Sequence, residues 1–223
     1  MCYHLYGFGT IVSDTKNRIR ELLEAGDYEG LLLLGKTDKT LLRRLIALTY
    51  DKTALVCWRA IRAFGLLSRQ MRQTDAKAAI DRLMTMMRDE SGGNPWSAPE
   101  MIGEVIKHNP RTFSHMVPIL VSFRDEEMFT AGILSALAQL AVTAPDLVLP
   151  YRELAFLYLH SGSAELRGNA LLVMRNLKDG TYAGEIRKMV DDSAGFSYFD
   201  GEGIVETSVG KLAAETLQSF SNN

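Results

Sequence analysis

Residues 58–67, Trp-Arg-Ala-Ile-Arg-Ala-Phe-Gly-Leu-Leu, form an apolar stretch studded with Arg, Ala and Gly. Residues 131–140, Ala-Gly-Ile-Leu-Ser-Ala-Leu-Ala-Gln-Leu, are a second copy, and residues 167–174 and 211–217 are looser versions. Apolar positions three and four residues apart are typical of a helix with one buried face. The chain therefore contains a repeated helical unit.

The spacing of these units indicates how they are arranged. Five aligned positions are separated by 41, 31, 37 and 43 residues: Ile61, Ile102, Ile133, Ala170 and Ala213. Irregular repetition in this range is produced by stacked helix pairs, each of which buries its apolar face against its neighbours. We therefore predict an all-α fold, an α–α superhelix of about five helix pairs that forms one domain over residues 1–223.

Capping residues, Gly and Pro divide the chain into short helices. Residues 1–14 are predicted to be an N-terminal extension, and residues 15–195 to be the helical repeats. The predicted helices are 15–25, 27–34, 37–48, 51–73, 75–87, 97–108, 110–123, 125–143, 146–160 and 163–178.

The C-terminal segment has a different pattern. Residues 196–199, Phe-Ser-Tyr-Phe, and residues 204–207, Ile-Val-Glu-Thr, flank an Asp-Gly turn. Aromatic and β-branched residues around such a turn predict a small β-hairpin over 196–207. A capping helix over 208–220 would then close the array.

Composition and charge narrow the classes of function. The 223 residues are 47% hydrophobic and 23% charged, and no apolar run approaches the roughly 20 residues of a membrane span. The start of the chain lacks the pattern of a secretory signal, and Cys2 and Cys57 make no disulfide framework, so we expect a cytoplasmic protein without a membrane partner. The net charge of −2 and the pI near 6.1 disfavour a nucleic-acid partner.

The charges are distributed unevenly along the chain. Residues 1–90 hold fifteen Lys or Arg and eleven Asp or Glu, which gives a net charge of +4. Residues 91–223 hold ten and sixteen, which gives −6. Because sequence order follows position along a solenoid, we expect one basic and one acidic end.

The marked helices around 58–67, 131–140, 167–174 and 209–217 resemble those of the HEAT-like repeat family, including the type labelled after phycobilisome lyases. The resemblance covers residues 15–219 and implies an α-solenoid. It also implies the range of functions of the family, whose members are mostly interaction scaffolds. Some members handle cofactors, and a few act on nucleic acid.

A basic ridge is the first candidate binding site. Arg59, Arg62, Arg69 and Arg72 lie at spacings of 3, 7 and 3 residues, which on one helix cover an arc of roughly 140°. Guanidinium groups on one face suit carboxylates of a partner with an acidic surface. The alternative is a solvated face paired with acidic neighbours such as Asp75.

The loop over residues 91–100 is the second candidate. Its two glycines permit close approach of a ligand, Trp96 offers a flat face, and Glu100 offers a carboxylate. Each also has a structural interpretation. Glu100 would complete a capping box with Ser97, and Trp96 would fill a gap between repeats.

The sequence gives little support for a metal site or for a catalytic nucleophile. His108 and His115 flank Asn109-Pro110 and are predicted to lie on different helices, which disfavours a paired metal site. Cys57 is predicted to be a buried, unreactive thiol. We predict no catalytic residues, no metal and no cofactor.

These observations favour a non-enzymatic scaffold that binds a protein through the concave face of a short solenoid. One alternative is a lyase-like or maturation factor that handles a cofactor, and another is a DNA-acting glycosylase built of HEAT-like repeats. The identity of the partner and the oligomeric state are not encoded in any recognisable motif.

Overall fold

The computed structural model describes residues 6–88 and 96–221, with side chains from residue 15 onward. Within these ranges, none of the helices combines the length and hydrophobicity needed to cross a membrane. The helices are α1 (Tyr6–Ala25), α2 (Tyr28–Gly35), α3 (Leu41–Ile46), α4 (Leu55–Ser68), α5 (Gln73–Met87), α6 (Ala98–His108), α7 (Pro110–Phe113), α8 (Val117–Val121), α9 (Glu127–Thr143), α10 (Pro145–Val148), α11 (Arg152–Tyr158), α12 (Ala164–Leu177), α13 (Ala183–Arg187) and α14 (Val209–Ser221). The strands are β1 (Gly195–Phe199) and β2 (Ile204–Ser208).

The helices form two layers. In the inner layer α4 packs on α6, α6 on α9, α9 on α12 and α12 on α14, while other helices, such as α3, α5, α11 and α13, form the outer layer. The five aligned sequence positions fall one on each inner helix, and each is at most 3% exposed. The predicted fold, an all-α superhelix with a small C-terminal hairpin, is confirmed.

Small residues allow the inner helices to approach closely. A Cβ atom added at Gly65 of α4 would lie 2.7 Å from Cβ of Glu104 on α6. One added at Gly103 of α6 would lie 2.6 Å from Cβ of Ala136 on α9. Both distances are shorter than a van der Waals contact, so the glycines set the spacing between repeats.

The first helix begins earlier than predicted. α1 starts at Tyr6, so the boundary of the predicted extension at residue 14 is wrong. Residues favoured at helix starts are tolerated inside a helix, and Asp14 therefore marks no boundary. The predicted end is confirmed, because Gly26 has a φ of +68° and Asp27 N donates to Leu22 O at 2.8 Å, the pattern of a glycine-terminated helix.

Two outer helices predicted to be continuous are broken. Residues 110–123 form α7, a 3₁₀ turn over Ser114–Met116 and α8, and residues 146–160 are divided in the same way around Leu149–Tyr151. Pro118 and Pro150 explain both breaks, since proline has no amide hydrogen and its ring collides with the carbonyl four residues before.

The predicted hairpin is present. β1 and β2 pair antiparallel, with Phe199 opposite Ile204 at the turn end. Within the turn, Asp200 Oδ1 accepts hydrogen bonds from the amides of Glu202 and Gly203 at 2.8 and 2.9 Å, and Gly201 has a φ of +111°. The Asp-Gly sequence therefore shapes the turn, and α14 follows as the predicted terminal helix.

We expect Gly103→Ala to lower the free energy of unfolding by about 2 kcal/mol, because the new methyl group forces α6 and α9 apart. Urea denaturation monitored by circular dichroism would measure this. Gly184→Ala on α13 is the matched control, since a Cβ there meets nothing within 4 Å. If both variants were equally stable, close helix approach at Gly103 would not matter.

Candidate functional site

The β-hairpin lies across the inner-helix layer and reaches two of the predicted arginines. Arg59 Nη2 donates to Glu202 O at 3.3 Å, and its Nη1 donates to Leu23 O and Glu24 O at the end of α1. Arg62 Nη1 donates to Gly201 O. The guanidinium of Arg62 also lies 5.0 Å from the ring centre of Tyr28, within cation–π range.

Arg69 and Arg72 do not continue this face. α4 ends at Ser68, so the predicted helix over 51–73 is too long and the expected single ridge of four arginines is wrong. Ser68 Oγ donates to Gly65 O at 2.6 Å and accepts a hydrogen bond from Asn109 Nδ2 at 2.8 Å. This contact with the end of α6 accompanies the end of α4, and residues 68–73 contain neither Gly nor Pro.

Arg69 and Arg72 instead lie in the turn between α4 and α5. Both are exposed, and Arg72 pairs with Asp75 through hydrogen bonds of 2.9 and 3.0 Å. This pair is the local alternative anticipated from the sequence. The arginines of the predicted ridge are therefore divided between a covered inner face and an open outer turn.

Arg72 lines a groove of about 470 Å³, which we call the α3–α5 groove. Its floor is apolar, and its rim carries cations. Its lining includes the buried or half-buried Leu41, Leu42, Leu67 and Met71, the exposed cations Lys36, Lys39 and Arg72, and two acidic residues, Asp38 and Asp75.

Trp96 and Glu100 lie in different environments, one exposed and one buried. Trp96 is 60% exposed, so its predicted role as a filler between repeats is wrong. Ser97 occupies the N-cap position of α6, but its hydroxyl donates to Thr49 O at 2.7 Å and forms no capping bond. Glu100 is buried and accepts a hydrogen bond from Lys52 Nζ at 2.6 Å, so the predicted capping box is also wrong. Residues 91–95 of this loop lie outside the described residues.

Glu100 belongs to a buried ion cluster beneath the hairpin. One turn further along α6, Glu104 accepts a hydrogen bond from Lys107 Nζ at 2.9 Å and lies 3.3 Å from His108 Nε2. Lys107 also contacts Gln139 Oε1 at 3.0 Å, which links the cluster to α9. A cavity of about 20 Å³, large enough for one water molecule, lies between this cluster and the hairpin.

The protonation of this cluster follows from its contacts. Burial raises the pKa of Glu104, but its contacts with His108 and Lys107 outweigh burial, so the pKa is lowered overall. Burial likewise opposes the charge of Lys52, and the Glu100 carboxylate reverses this effect and raises the Lys52 pKa. Glu104 and Lys52 are therefore both ionised near neutral pH.

Three residues of this face were not identified from the sequence. The rings of Trp58 and Phe199 are stacked with centroids 6.0 Å apart, and Gln139 Nε2 donates to Phe199 O at 3.2 Å. Trp58 lies four residues before Arg62, on the same side of α4. This spacing is the one local sequence signal for Trp58. No local sequence pattern indicated where the hairpin packs on the helices.

The remaining reactive residue types match their predicted environments. Cys57 is 1% exposed, and burial raises the pKa of its thiol to about 11, which makes it unreactive near neutral pH. His108 ends α6, whereas His115 lies in the following 3₁₀ turn. Within the described ranges, no three His, Cys, Asp or Glu residues come close enough together to hold a metal ion.

Comparisons with known proteins bear on the fold alone. No protein-family model matches the chain, and no curated protein sequence does. A crystal structure of an engineered protein, a target of the Northeast Structural Genomics Consortium, is 16% identical and has a TM-score of 0.52, with 93% of this chain and 90% of that chain covered. The archaeal HEAT-like repeats protein of Thermococcus onnurineus NA1 is also 16% identical, with a TM-score of 0.40, and 93% of this chain and 80% of that chain are covered.

We expect Glu104→Gln to lower the free energy of unfolding by about 3 kcal/mol at pH 7, because it leaves Lys107 without its buried counter-charge. The folded pKa of Glu104 lies below its ordinary 4.5, so its stabilisation is present above that pH and is lost as the pH falls through the folded value. The difference between variant and wild type should therefore shrink in acid.

Urea denaturation at a series of pH values would measure both effects. Glu185→Gln is the matched control, since Glu185 forms the same i, i+3 pair with Lys188 but on the surface. It should change stability little at any pH. An equal effect of the two substitutions would show that burial of the Glu104 pair has no consequence.

Proposed function

We propose that this protein is a non-enzymatic protein-binding scaffold and that the α3–α5 groove is a docking surface for its partner. The partner we propose is a protein segment that carries acidic residues around an apolar side chain. The observation that supports this is the combination of an apolar floor and a cationic rim in a groove of about 470 Å³. This volume lies within the usual range of ligand pockets.

The charges of the rim favour an acidic segment. Lys36, Lys39 and Arg72 are all exposed, so they are accessible to carboxylates of a partner. Asp38 contributes little opposing charge, because the guanidinium of Arg44 lies 3.6 Å from its Oδ2 and partly neutralises it. The excess of positive charge in residues 1–90 acts in the same direction.

Asp75 is the remaining acidic group of the groove. Its pair with Arg72 is solvent-exposed, with the Arg72 side chain 83% accessible. Exposed ion pairs contribute little to stability, so a carboxylate of the partner can replace Asp75 at small cost. Arg72 is thus held near the groove by an exchangeable contact.

The floor gives the groove its apolar component. Leu41 and Leu67 are buried, whereas Leu42 and Met71 are half-buried at its surface. Because methionine is flexible, it can pack against apolar side chains of different shapes. Contact with an apolar side chain would give affinity that added salt does not abolish.

The two alternative functions are distinguished by simple observations. A cofactor maturation factor, the activity suggested by the phycobilisome-lyase resemblance, should purify with an absorbing ligand. A DNA-acting glycosylase should be retained on heparin and be released steeply with salt. The scaffold proposal expects neither.

We expect the triple substitution Lys36→Glu, Lys39→Glu, Arg72→Glu to weaken binding of an acidic, apolar peptide at least about tenfold, because it makes the rim repel carboxylates. The probe is a fluorescein-labelled peptide that alternates Glu with Leu, and fluorescence anisotropy measures its binding. The same peptide with Lys in place of Glu should bind the wild-type protein poorly.

The matched control reverses three other exposed charges: Arg111→Glu, Arg187→Glu and Lys211→Glu. It changes the net charge equally and should leave peptide binding nearly unchanged. Equal losses in the two triple variants would mean that net charge, and not the groove, attracts the peptide. If neither triple variant bound the peptide more weakly, the groove would not be its binding site.

A further inference from the structure

The β-hairpin is an addition to the helical array. Val209 N donates to Ala194 O at 3.0 Å, and Gly210 N donates to Asp192 O at 2.8 Å. The chain therefore leaves the array and returns to it at the same place. α13 and α14 pack together directly, so the hairpin is not the only connection between the last two helices.

The base of the hairpin is fixed to α12 by side-chain packing. The ring of Phe196 covers Gly168 so closely that a Cβ atom there would lie 2.5 Å from ring atoms. Tyr198 lies against Arg175, whose guanidinium carbon is 5.5 Å from the ring centre. These contacts depend on the particular side chains of β1.

The tip is held in a different way, through its main chain. Arg62 donates to the carbonyl of Gly201, Arg59 to that of Glu202 at 3.3 Å, and Gln139 to that of Phe199 at 3.2 Å. Every peptide unit offers such a carbonyl, so these three donors recognise a non-helical chain with little regard to its sequence. The stacking of Phe199 on Trp58 is the sequence-dependent contact.

The surface beneath the tip combines apolar side chains, such as Trp58, Ile61 and Ala136, with charged ones. It carries the Lys52–Glu100 and Glu104–Lys107 pairs, and the second carboxylate oxygens of Glu100 and Glu104 receive no hydrogen bond from the described residues. Covering charged groups costs free energy that an apolar surface would not require. These charged groups therefore weaken the attachment of the tip to the surface.

The tip is also able to leave without losing its shape. Asp200 accepts hydrogen bonds from two amides of the turn, and Asp200 N donates to Gly203 O at 3.2 Å, so the turn carries its own hydrogen bonds. Release therefore breaks three bonds to side chains and one aromatic stack. Each of those side chains remains in place on α4 or α9.

We propose that the inner face of α4 and α9 is a peptide-binding site and that the hairpin tip occupies it as an internal competitor. The occupant we propose is a tight turn of a protein partner that follows an aromatic residue, since the carbonyls bound here belong to the turn end of the hairpin. Its ring takes the place of Phe199 on Trp58, and its main-chain carbonyls take the donors of Arg59, Arg62 and Gln139. This site is separate from the α3–α5 groove and does not depend on it.

The first test removes the competitor. In the excised variant, residues 195–208 are replaced by Asn-Gly, which joins Ala194 to Val209 across their existing hydrogen bond. The probe is a fluorescein-labelled synthetic peptide of residues 195–208. We expect the excised variant to bind it at least about tenfold more tightly than the full chain, in which the tethered hairpin is present at a high effective concentration.

Substitutions then locate the bound probe. In the excised variant, Trp58→Ala and Arg62→Ala should each weaken binding about tenfold, and a probe with Phe199→Ala should bind correspondingly less. Arg69→Ala is the matched control, since Arg69 is exposed at the end of α4 and should have no effect. Loss of binding in the Lys36, Lys39, Arg72 variant, with Arg62→Ala unaffected, would assign the probe to the other groove and overturn this proposal.

A measurement on the full chain covers the case in which excision prevents folding. The chain has two tryptophans, so Trp96→Phe leaves Trp58 as the sole tryptophan, whose fluorescence can be excited where tyrosine does not absorb. Adding Phe199→Ala vacates the stack, which should raise acrylamide quenching of Trp58, and the probe should then lower it again. Absence of probe binding both here and in a folded excised variant would overturn the proposal.

The oligomeric state decides between a partner and a second copy. We expect the full chain to sediment as the same species with and without Phe199→Ala. A dimer that disappears on this substitution would mean that the hairpin of one copy fills the site of another. That result would overturn the assignment to a different protein.

Discussion

Close approach between successive inner helices is the constraint on which the rest of the structure depends. Gly65 lies against Glu104, and Gly103 lies against Ala136, at separations that leave no room for a larger side chain. Two consequences follow from this spacing. The backbones of α4, α6 and α9 form a continuous layer, and the charged side chains at the crossings are buried between them, where they must be paired. The ion cluster is thus a product of the same packing that stacks the repeats.

The ion cluster fixes the relative positions of the helices more than it stabilises them. A buried ion pair loses hydration that its attraction only partly restores, so its contribution to stability is small although its disruption is costly. Lys107 contacts both Glu104 on its own helix and Gln139 on α9, and Lys52 joins the start of α4 to Glu100 on α6. A shift of one helix by a turn would separate these partners. The charged pairs therefore favour one register of stacking, which apolar contacts alone would specify less strictly.

Features encoded over a few residues were predictable from the sequence, and those that depend on distant contacts were not. The aligned inner-helix positions, the end of α1 at Gly26 and the Asp-Gly hairpin all rest on local patterns. The end of α4 is different, since Ser68 is bonded to Asn109, which is 41 residues away in sequence. The two tryptophans illustrate the same limit. Trp96 was a candidate because it follows a Gly-Gly loop. The aromatic stack is formed instead by Trp58 with Phe199, and no local pattern in the sequence connects these two residues.

The end of α4 also decides how the arginines of this region are used. Had the helix continued to residue 73, Arg62, Arg69 and Arg72 would share one face, and a single acidic surface could contact them all. Arg59 and Arg62 lie within α4 and face the hairpin, and because α4 stops at Ser68, Arg72 precedes α5 and lines the α3–α5 groove. Arg59 and Arg62 then bind main-chain carbonyls on the inner face, whereas Arg72 binds a carboxylate at the outer turn. Asn109, at the end of α6, contacts Ser68 at this division, so the packing of the second repeat fixes which proposed site each arginine of the first repeat serves.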